Sequence, residues 1–182
     1  RGFEEIFCLG DVVGYGPDPV LVTDLVRQNV RATILGNHDE ALVKGPWGFN
    51  PVARMAMEWT RKKLRPRIFR PGSRSRWQFL AGLTLRHEWQ GYLLVHGSPR
   101  DPTSEYILPY DVAGARPGMF QELFDSFDSV CLVGHTHMAG VFEEGPRFVP
   151  QNRVGETFQK GKGKMIVNVG AVGQPRDQDW RA

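Results

Sequence analysis

Four short apolar runs of this chain end in residues that bind metals or move protons. The runs and the residues that follow them are Phe7–Leu9 with Gly10-Asp11, Ala32–Leu35 with Gly36-Asn37-His38-Asp39, Tyr92–Val95 with His96-Gly97-Ser98, and Val130–Val133 with Gly134-His135-Thr136-His137. Apolar runs of this length, bounded by turn residues, are typical of buried strands. In open α/β sheets, ligands bind beyond the carboxyl ends of the strands. The pattern therefore predicts an α/β fold in which four distant segments contribute to one site.

The side chains at these strand ends form a donor set for divalent metal ions. Asp11 offers a carboxylate, Asn37 an amide oxygen, and His96, His135 and His137 offer imidazoles. Mixed oxygen and nitrogen donors suit Mn, Fe, Zn or, less well, Mg, and we expect two divalent ions, with Mn favoured. Because a carboxylate has two oxygens, Asp11 can bridge two ions. Ions about 3.5–4 Å apart can clamp a phosphate and polarise a bridging hydroxide for in-line attack.

Hydrolysis of a phosphoester also needs a proton donor near the leaving oxygen. His38 is the candidate, because it directly follows the ligand Asn37 and its side chain points in a different direction from that of Asn37. Taken alone, a strand-end Asp or a single His has an ordinary explanation as a cap or a satisfied polar group. His87 is such a case, since it lies in mid-strand without a glycine turn, and we expect no role for it. The metal site is inferred from the set, because four of the five histidines follow apolar runs.

Apolar spacing predicts the elements between these segments. The predicted helices start at Asp18-Pro19, where Leu21, Val22, Leu25 and Val26 form an apolar stripe, and cover Pro51–Leu64, Arg76–Leu80 and Gly118–Phe127. The predicted strands are Phe3–Leu9, Arg31–Leu35, Leu83–Trp89, Tyr92–Val95, Val130–Val133, Lys164–Val169, and the hairpin strands Gly140–Glu144 and Arg147–Pro150 around Gly145-Pro146. The Met and Trp stripe of Val52, Met55, Ala56 and Trp59 is expected to pack in the core. Strands alternating with helices, then consecutive strands, predict an α/β sandwich with a partly antiparallel second sheet in one domain over residues 1–182.

The basic residues of the chain are concentrated in one segment. The net charge is +3, and eight of the 23 basic residues lie between Arg61 and Trp77, where there is no acidic residue. The remaining chain has 15 basic and 20 acidic residues, from 23 minus eight, so it is net acidic. Phe69 and Trp77 could stack on bases, but prolines break the segment. A solvated helix end and loop therefore explains it better than a nucleic-acid surface.

Two further features concern the compartment. No apolar run approaches the ~18 residues that a membrane span needs, so we expect no membrane partner. Cys8 and Cys131 each lie inside an apolar strand run, which predicts two reduced core thiols rather than a disulfide framework. Both features fit a cytoplasmic protein.

Together the motifs resemble those of the calcineurin-like metallophosphoesterases. The matching segments, in chain order, are Gly10-Asp11, Gly36-Asn37-His38-Asp39, His96 and Gly134-His135-Thr136-His137. Longer stretches, Gly10–Pro17, His96–Asp101 and Gly173–Asp177, are similar to a small bacterial branch often labelled phosphodiesterase or diadenosine-tetraphosphatase-related. The resemblance covers nearly the whole chain.

The resemblance implies a sandwich of mixed sheets flanked by helices and a two-metal hydrolase, most closely a phosphodiesterase. Its substrate would be a phosphoester small molecule or a nucleotide. The resemblance implies that Asp11 bridges the two ions. It implies that Asn37, His96 and His135 complete the ligands of one ion and that His137 binds the other. By the same resemblance, His38 is the catalytic acid.

The chain departs from the family pattern at both ends. The opening Asp-x-His motif is absent before Asp11, where Glu4 and Glu5 are the only possible ligands, and the closing strands after the Gly173–Asp177 loop are absent too. We therefore expect the 182 residues to be the core of a longer protein, truncated at both ends, with weak affinity for the second ion and little activity. The alternatives are a natural variant with half a site, or a non-catalytic relative that uses the same fold to bind proteins. The sequence leaves no trace of the oligomeric state.

Each of three other residues has two possible roles. Arg100 faces the substrate or forms a loop salt bridge, and Arg176 binds phosphate or pairs with Asp177. Asp39 orients a neighbouring imidazole or caps a helix that begins near Glu40.

Overall fold

The computed structural model describes residues 3–114, 116–145, 147–154 and 157–176. The chain divides into two compact units, Arg1–Leu85 and Arg86–Ala182. Each contains strands and helices, so the predicted α/β class is confirmed for both. The assignment of one domain to the whole chain stays a prediction.

The first unit contains a short parallel strand pair and four helices. In chain order these are β1 (Phe7–Cys8), α1 (Pro19–Asn29), β2 (Ala32–Thr33), α2 (Asn37–Lys44), α3 (Pro51–Leu64) and α4 (Ser73–Ala81). Cys8 is in register with Thr33. The pairing is shorter than the sequence predicted, because charged Glu4 and Glu5 precede β1 and Gly10, at φ 94°, turns the chain directly after it. This turn brings Asp11 out of the strand.

The helices of the first unit follow their capping signals, but two of their apolar stripes face outward. Helix α3 has the predicted bounds, since the side chain of Asn50 accepts a hydrogen bond from Ala53 N and a proline follows it. The stripe expected in the core is exposed, at 66% for Val52 and 63% for Met55, so this prediction is wrong. The buried residues of α3 form a second stripe with helical spacing, Ala53, Met57, Thr60 and Leu64. Helix α1 likewise exposes Leu21, Val22 and Leu25 and buries Pro19 and Thr23.

The second unit contains a six-stranded mixed sheet. Its strands are β3 (His87–Trp89), β4 (Tyr92–Leu94), β5 (Val130–Val133), β6 (Gly140–Glu143), β7 (Arg147–Pro150) and β8 (Met165–Asn168). They lie in the order β3-β4-β5-β8-β6-β7. The central strands β4, β5 and β8 are parallel, and the outer pairings are antiparallel. The predicted partly antiparallel second sheet is therefore confirmed, and the carboxyl ends of β4 and β5, where two histidine motifs begin, lie at one edge.

One helix covers the core of this sheet. Helix α5 (Met119–Asp125) buries Met119, Phe120, Leu123 and Phe124, which pack with buried strand residues. A 3₁₀ helix (Pro109–Ala113) and a short helix α6 (Gln151–Val154) were not predicted. The β3–β4 turn has Gln90 and Gly91 at φ 49° and 82°, the two positive angles of a type I′ hairpin turn. Pro146 of the second predicted turn lies outside the described residues.

The two thiols are reduced. Burial raises the pKa of Cys8 to about 11 and that of Cys131 to about 12, so both are protonated and unreactive near neutral pH. Among the described residues, every helix is too short or too polar to cross a membrane.

Candidate metal centre

In the first unit, the Asp11 and Asn37 motifs lie against each other. The backbone N–H of His38 donates to Asp11 Oδ1 at 2.9 Å. A side chain at Gly36 would place its Cβ 2.2 Å from Asp11 Oδ1 and 2.3 Å from Asp11 N. Glycine is therefore required at position 36 by the close approach of the two loops. Helix α2 starts at Asn37, so Asn37 and His38 lie in its first turn.

Asp39 connects these two loops by hydrogen bonds. Its buried carboxylate accepts hydrogen bonds from Val12 N and Val13 N, both at 3.3 Å, and from Gly36 N at 3.1 Å. The last bond is the reach of an N3 side chain to the residue before the helix, as in a capping box. The predicted capping role is thus confirmed, although the helix begins at Asn37 rather than near Glu40. Burial, and next the nearby Asp11 carboxylate, raise the pKa of Asp39.

His38, the predicted proton donor, lies in an apolar surround. Its ring is edge-on to the rings of Tyr15 and Phe49, each with a centroid distance of 5.0 Å. Nδ1 lies 3.3 Å from the sulfur of Met57. A Cβ at Gly14 would come within 2.8 Å of Nδ1, so glycine leaves room for the imidazole. These contacts fix the ring orientation and leave Nε2 as the nitrogen directed away from Met57.

In the second unit, the structure brings His96 and His135 together at the ends of β4 and β5. Nε2 of His96 lies 3.0 Å from Nδ1 of His135, and both residues are buried. Nε2 of His135 lies 3.3 Å from the carbonyl oxygen of Ser104. Because a carbonyl only accepts, Nε2 of His135 carries the proton and Nδ1 presents its lone pair toward His96. A histidine that donates its far nitrogen to a carbonyl is the usual arrangement of a metal ligand.

The spacing of these nitrogens fits one ion. Two nitrogens about 2.1 Å from a metal and at a right angle to each other are about 3.0 Å apart. The observed separation matches this value. The second unit therefore presents two imidazole nitrogens within reach of one ion, and the identity of that ion stays a prediction.

His137 is oriented by the loop that follows β8. Its Nδ1 lies 2.6 Å from the carbonyl oxygen of Gln174 and donates to it, so Nδ1 carries the proton of the neutral imidazole. The backbone N–H of Arg176 donates to the carbonyl oxygen of His137 at 3.2 Å. The Arg176 side chain is exposed, and its suggested partner Asp177 lies outside the described residues. The Gly173–Arg176 loop thus positions a predicted ligand.

Three of the predicted ligands have a strained backbone. Asp11, His135 and His137 have φ angles of 52°, 61° and 60°, a region that L residues with a Cβ rarely adopt. Such angles cost on the order of 1–3 kcal/mol each and concentrate at functional sites. Among the described non-glycine residues, only Gln90 of the hairpin turn shares this feature. All three angles occur in the segments that directly follow β1 and β5.

Asn168, which was not predicted as a site residue, organises the His135–His137 segment. This buried residue at the end of β8 donates through Nδ2 to Gly134 O and Thr136 Oγ1, both at 2.7 Å, and accepts from Gly170 N at 2.9 Å. Asn168 is the one polar residue between Met165 and Val169. That exception within an apolar run was the signal that could have found it.

Arg100 takes part in the loop salt bridge that the sequence allowed. Its guanidinium pairs with Glu105 and Glu122. Ser98 also donates to Glu105 Oε2 at 2.6 Å. Burial raises the pKa of Glu105, but the hydrogen bonds from Arg100 and Ser98, together with the charges of Arg100 and Arg116, outweigh it, so the pKa is lowered. The network anchors the loop whose Ser104 contacts His135. A substrate contact of Arg100 stays a prediction.

The fold and the motifs described above are those of a known family of phosphoesterases. A family model described as calcineurin-like phosphoesterase matches residues 2–166, and the chain belongs to this family. It is 31% identical over 185 residues to an uncharacterised protein of Methanocaldococcus jannaschii, covering 97% of this chain and 68% of that protein. It is also similar to the crystal structure of a metallophosphoesterase from Sphaerobacter thermophilus. That match has a TM-score of 0.72 and 35% identity and covers 98% of this chain and 70% of the other.

Proposed function

We propose that the chain is a two-metal phosphoester hydrolase and that its substrates are phosphodiesters, including nucleotides. The supporting observation is the buried His96–His135 pair, whose nitrogens are separated as two ligands of one ion would be, in a member of the calcineurin-like phosphoesterase family. The bound ions, with Mn favoured, would supply Lewis-acid activation of water and neutralise the phosphate charge.

The proposal assigns one ion to His96, His135, Asp11 and Asn37. Asp11 and Asn37 are included because their motifs match the family pattern, and Asn37 follows the glycine that packs on Asp11. Asp11 has a second oxygen for the other ion, which His137 would also bind through Nε2. With only these two ligands from the 182 residues, the second ion binds more weakly than the first.

His38 would donate the proton to the leaving oxygen through Nε2. Its backbone N–H is anchored on Asp11, and its ring is fixed by Tyr15, Phe49 and Met57. A fixed imidazole loses little freedom when it transfers a proton, which is what general acid catalysis requires. Arg176 and Arg100 are the proposed phosphate contacts, with Arg100 partly engaged by Glu105 and Glu122.

Metal titration and hydrolysis assays test this proposal. We expect calorimetry with Mn²⁺ to show one tight and one weak site. Hydrolysis of bis(p-nitrophenyl) phosphate should depend on Mn²⁺, be slow, and stop on chelation. His135→Ala should remove both the tight site and the activity. Absence of any Mn²⁺ binding would refute the proposal. Tight binding without turnover would instead favour the protein-binding scaffold. We further propose a cytoplasmic location, where the two protonated thiols stay reduced.

A further inference from the structure

The basic segment forms a hydrogen-bonded turn with two apolar side chains at its apex. Arg70 N donates to Arg67 O at 3.1 Å, which closes a β-turn with Ile68 and Phe69 at its two central positions. Ile68 is 95% exposed and Phe69 is 94% exposed. Large apolar side chains gain nothing for folding when they are this exposed. Their position at a turn apex makes them available to a partner.

Hydrogen bonds from both flanks hold this turn in place. The buried Ser73 hydroxyl accepts from Arg67 N at 3.2 Å and donates to Arg70 O at 2.7 Å. The Arg70 guanidinium donates to the carbonyl oxygens of Lys62 and Lys63 at the end of α3. The turn is therefore attached to helices α3 and α4. Its hydrogen-bonded conformation is the one that exposes Ile68 and Phe69.

Cations surround the apex. The exposed basic residues of the segment are Lys62, Lys63, Arg65, Arg67, Arg70 and Arg74. No ion pair among the described residues involves any of these six. A shallow cavity of about 550 Å³ lies beside the apex and is lined by Arg67, Ile68, Arg70 and Arg74, among others. Uncompensated positive charge and exposed apolar surface thus occur together in one place.

We propose that this turn, Arg65–Arg74, docks on an anionic lipid bilayer, with Ile68 and Phe69 entering the interface and the surrounding cations binding lipid phosphates. Apolar side chains next to Lys and Arg are the combination that binds membrane interfaces. Each basic residue near an anionic surface adds to the attraction. This proposal departs from the sequence-based expectation of no membrane partner, which considered spanning segments only. The turn would lie on the bilayer without crossing it, so it needs no spanning helix, and the described part of the chain has none.

A bilayer fits this surface better than a nucleic acid does. Only Phe69 is free to stack on a base, since Trp77 packs against the core of the first unit and Ile68 has no ring. Single-strand binding surfaces use aromatic rings for successive bases. The apex exposes both of its apolar side chains, and a deformable apolar medium accepts such side chains without a matching pocket.

Vesicle sedimentation with the full 182-residue chain tests the apolar part. We expect binding to phosphatidylcholine vesicles that contain phosphatidylglycerol, and little binding to phosphatidylcholine alone. The double variant Ile68→Ser, Phe69→Ser should bind at least about tenfold more weakly, because two apolar side chains that enter the bilayer are lost. The matched control, Leu21→Ser with Leu25→Ser, changes two exposed leucines of α1 and should bind like the wild type. Circular dichroism and Tm verify that both variants fold.

A second pair of variants tests the charge. Arg67→Gln with Arg74→Gln should weaken binding to the anionic vesicles about 20-fold, whereas Lys160→Gln with Lys162→Gln, which removes two exposed cations of the second unit, should not. Raising salt from about 0.1 to about 1 M should weaken binding of the wild type.

Three results would overturn the proposal. One is no binding to anionic vesicles at low salt, and another is equal binding by the apex variant and the wild type. The third is binding to a single-stranded oligonucleotide, or self-association in sedimentation velocity, that depends on Ile68 and Phe69 while vesicle binding does not.

Discussion

The side-chain amide of Asn168 donates to the hydroxyl of Thr136 at 2.7 Å. This bond ties the end of strand β8 to the middle of the His135–His137 segment, whose two histidines have positive φ angles. The same amide donates to Gly134 O. One buried side chain therefore holds the strained backbone that presents two proposed metal ligands.

We expect Asn168→Leu to destabilise the chain and to weaken Mn²⁺ binding. The substitution leaves the buried Gly134 O and Thr136 Oγ1, and the half-buried Gly170 N, without this partner. Each unsatisfied buried group costs on the order of 1–3 kcal/mol. Urea denaturation should show a loss of about 2–4 kcal/mol. Asn152→Leu, at an exposed position of α6, is the control and should change little. Wild-type Mn²⁺ affinity in Asn168→Leu would show that the loop holds its shape without the amide.

Gly36→Ala should disrupt the contact between the Asp11 and Asn37 loops. The new methyl group would lie 2.2 Å from Asp11 Oδ1, so the backbone of one loop must move. We expect a destabilisation on the order of 1–3 kcal/mol and loss of tight Mn²⁺ binding. Gly16→Ala is the matched control, because a Cβ there meets no atom within 4 Å, and it should be neutral or slightly stabilising. Similar Tm values for the two variants would contradict this account.

The fold was predictable where local signals agreed. Asn50-Pro51 gave the start of α3, and the apolar run Val130–Val133 gave β5 with its observed bounds. The buried faces of the helices were not predictable in the same way. Helix α3 has two apolar stripes with helical spacing, and the packing of neighbouring helices, which the sequence does not state, selects the one with Met57 and Leu64.

The candidate metal ligands were predictable from the sequence, but the contacts that position them were not. Glycines and polar residues at strand ends identified Asp11, Asn37 and the histidines. The hydrogen bonds of Asp39 to Val12 and Val13 join residues that are 27 and 26 positions apart. Contacts of that kind have no local signature, so a single sequence cannot reveal them.

His96→Ala and His135→Ala should each remove the tight Mn²⁺ site. The two nitrogens are 3.0 Å apart, so loss of either removes one of two cis ligands, and we expect affinity to fall at least about 100-fold. His87→Ala is the matched control, because His87 lies in strand β3 and is assigned no role. Calorimetry on all three variants measures this. A loss of affinity in His87→Ala as large as in the other two would indicate a general effect on folding.

The stability of the second unit should depend on pH through Glu105. Hydrogen bonds from Arg100 and Ser98, against the effect of burial, lower the pKa of Glu105 in the folded chain, whereas in the unfolded chain it is about 4.3. A carboxyl with a lowered folded pKa stabilises the fold above its unfolded pKa, and this contribution is lost as pH falls through the folded value. Urea denaturation should therefore show stability falling below about pH 4.3. Glu105→Gln should be less stable at pH 7 and have a shallower slope in this range, while Glu88→Gln, on the exposed face of β3, should keep the wild-type slope. If Glu105→Gln follows the wild-type profile throughout, the ion pair with Arg100 contributes nothing to folding.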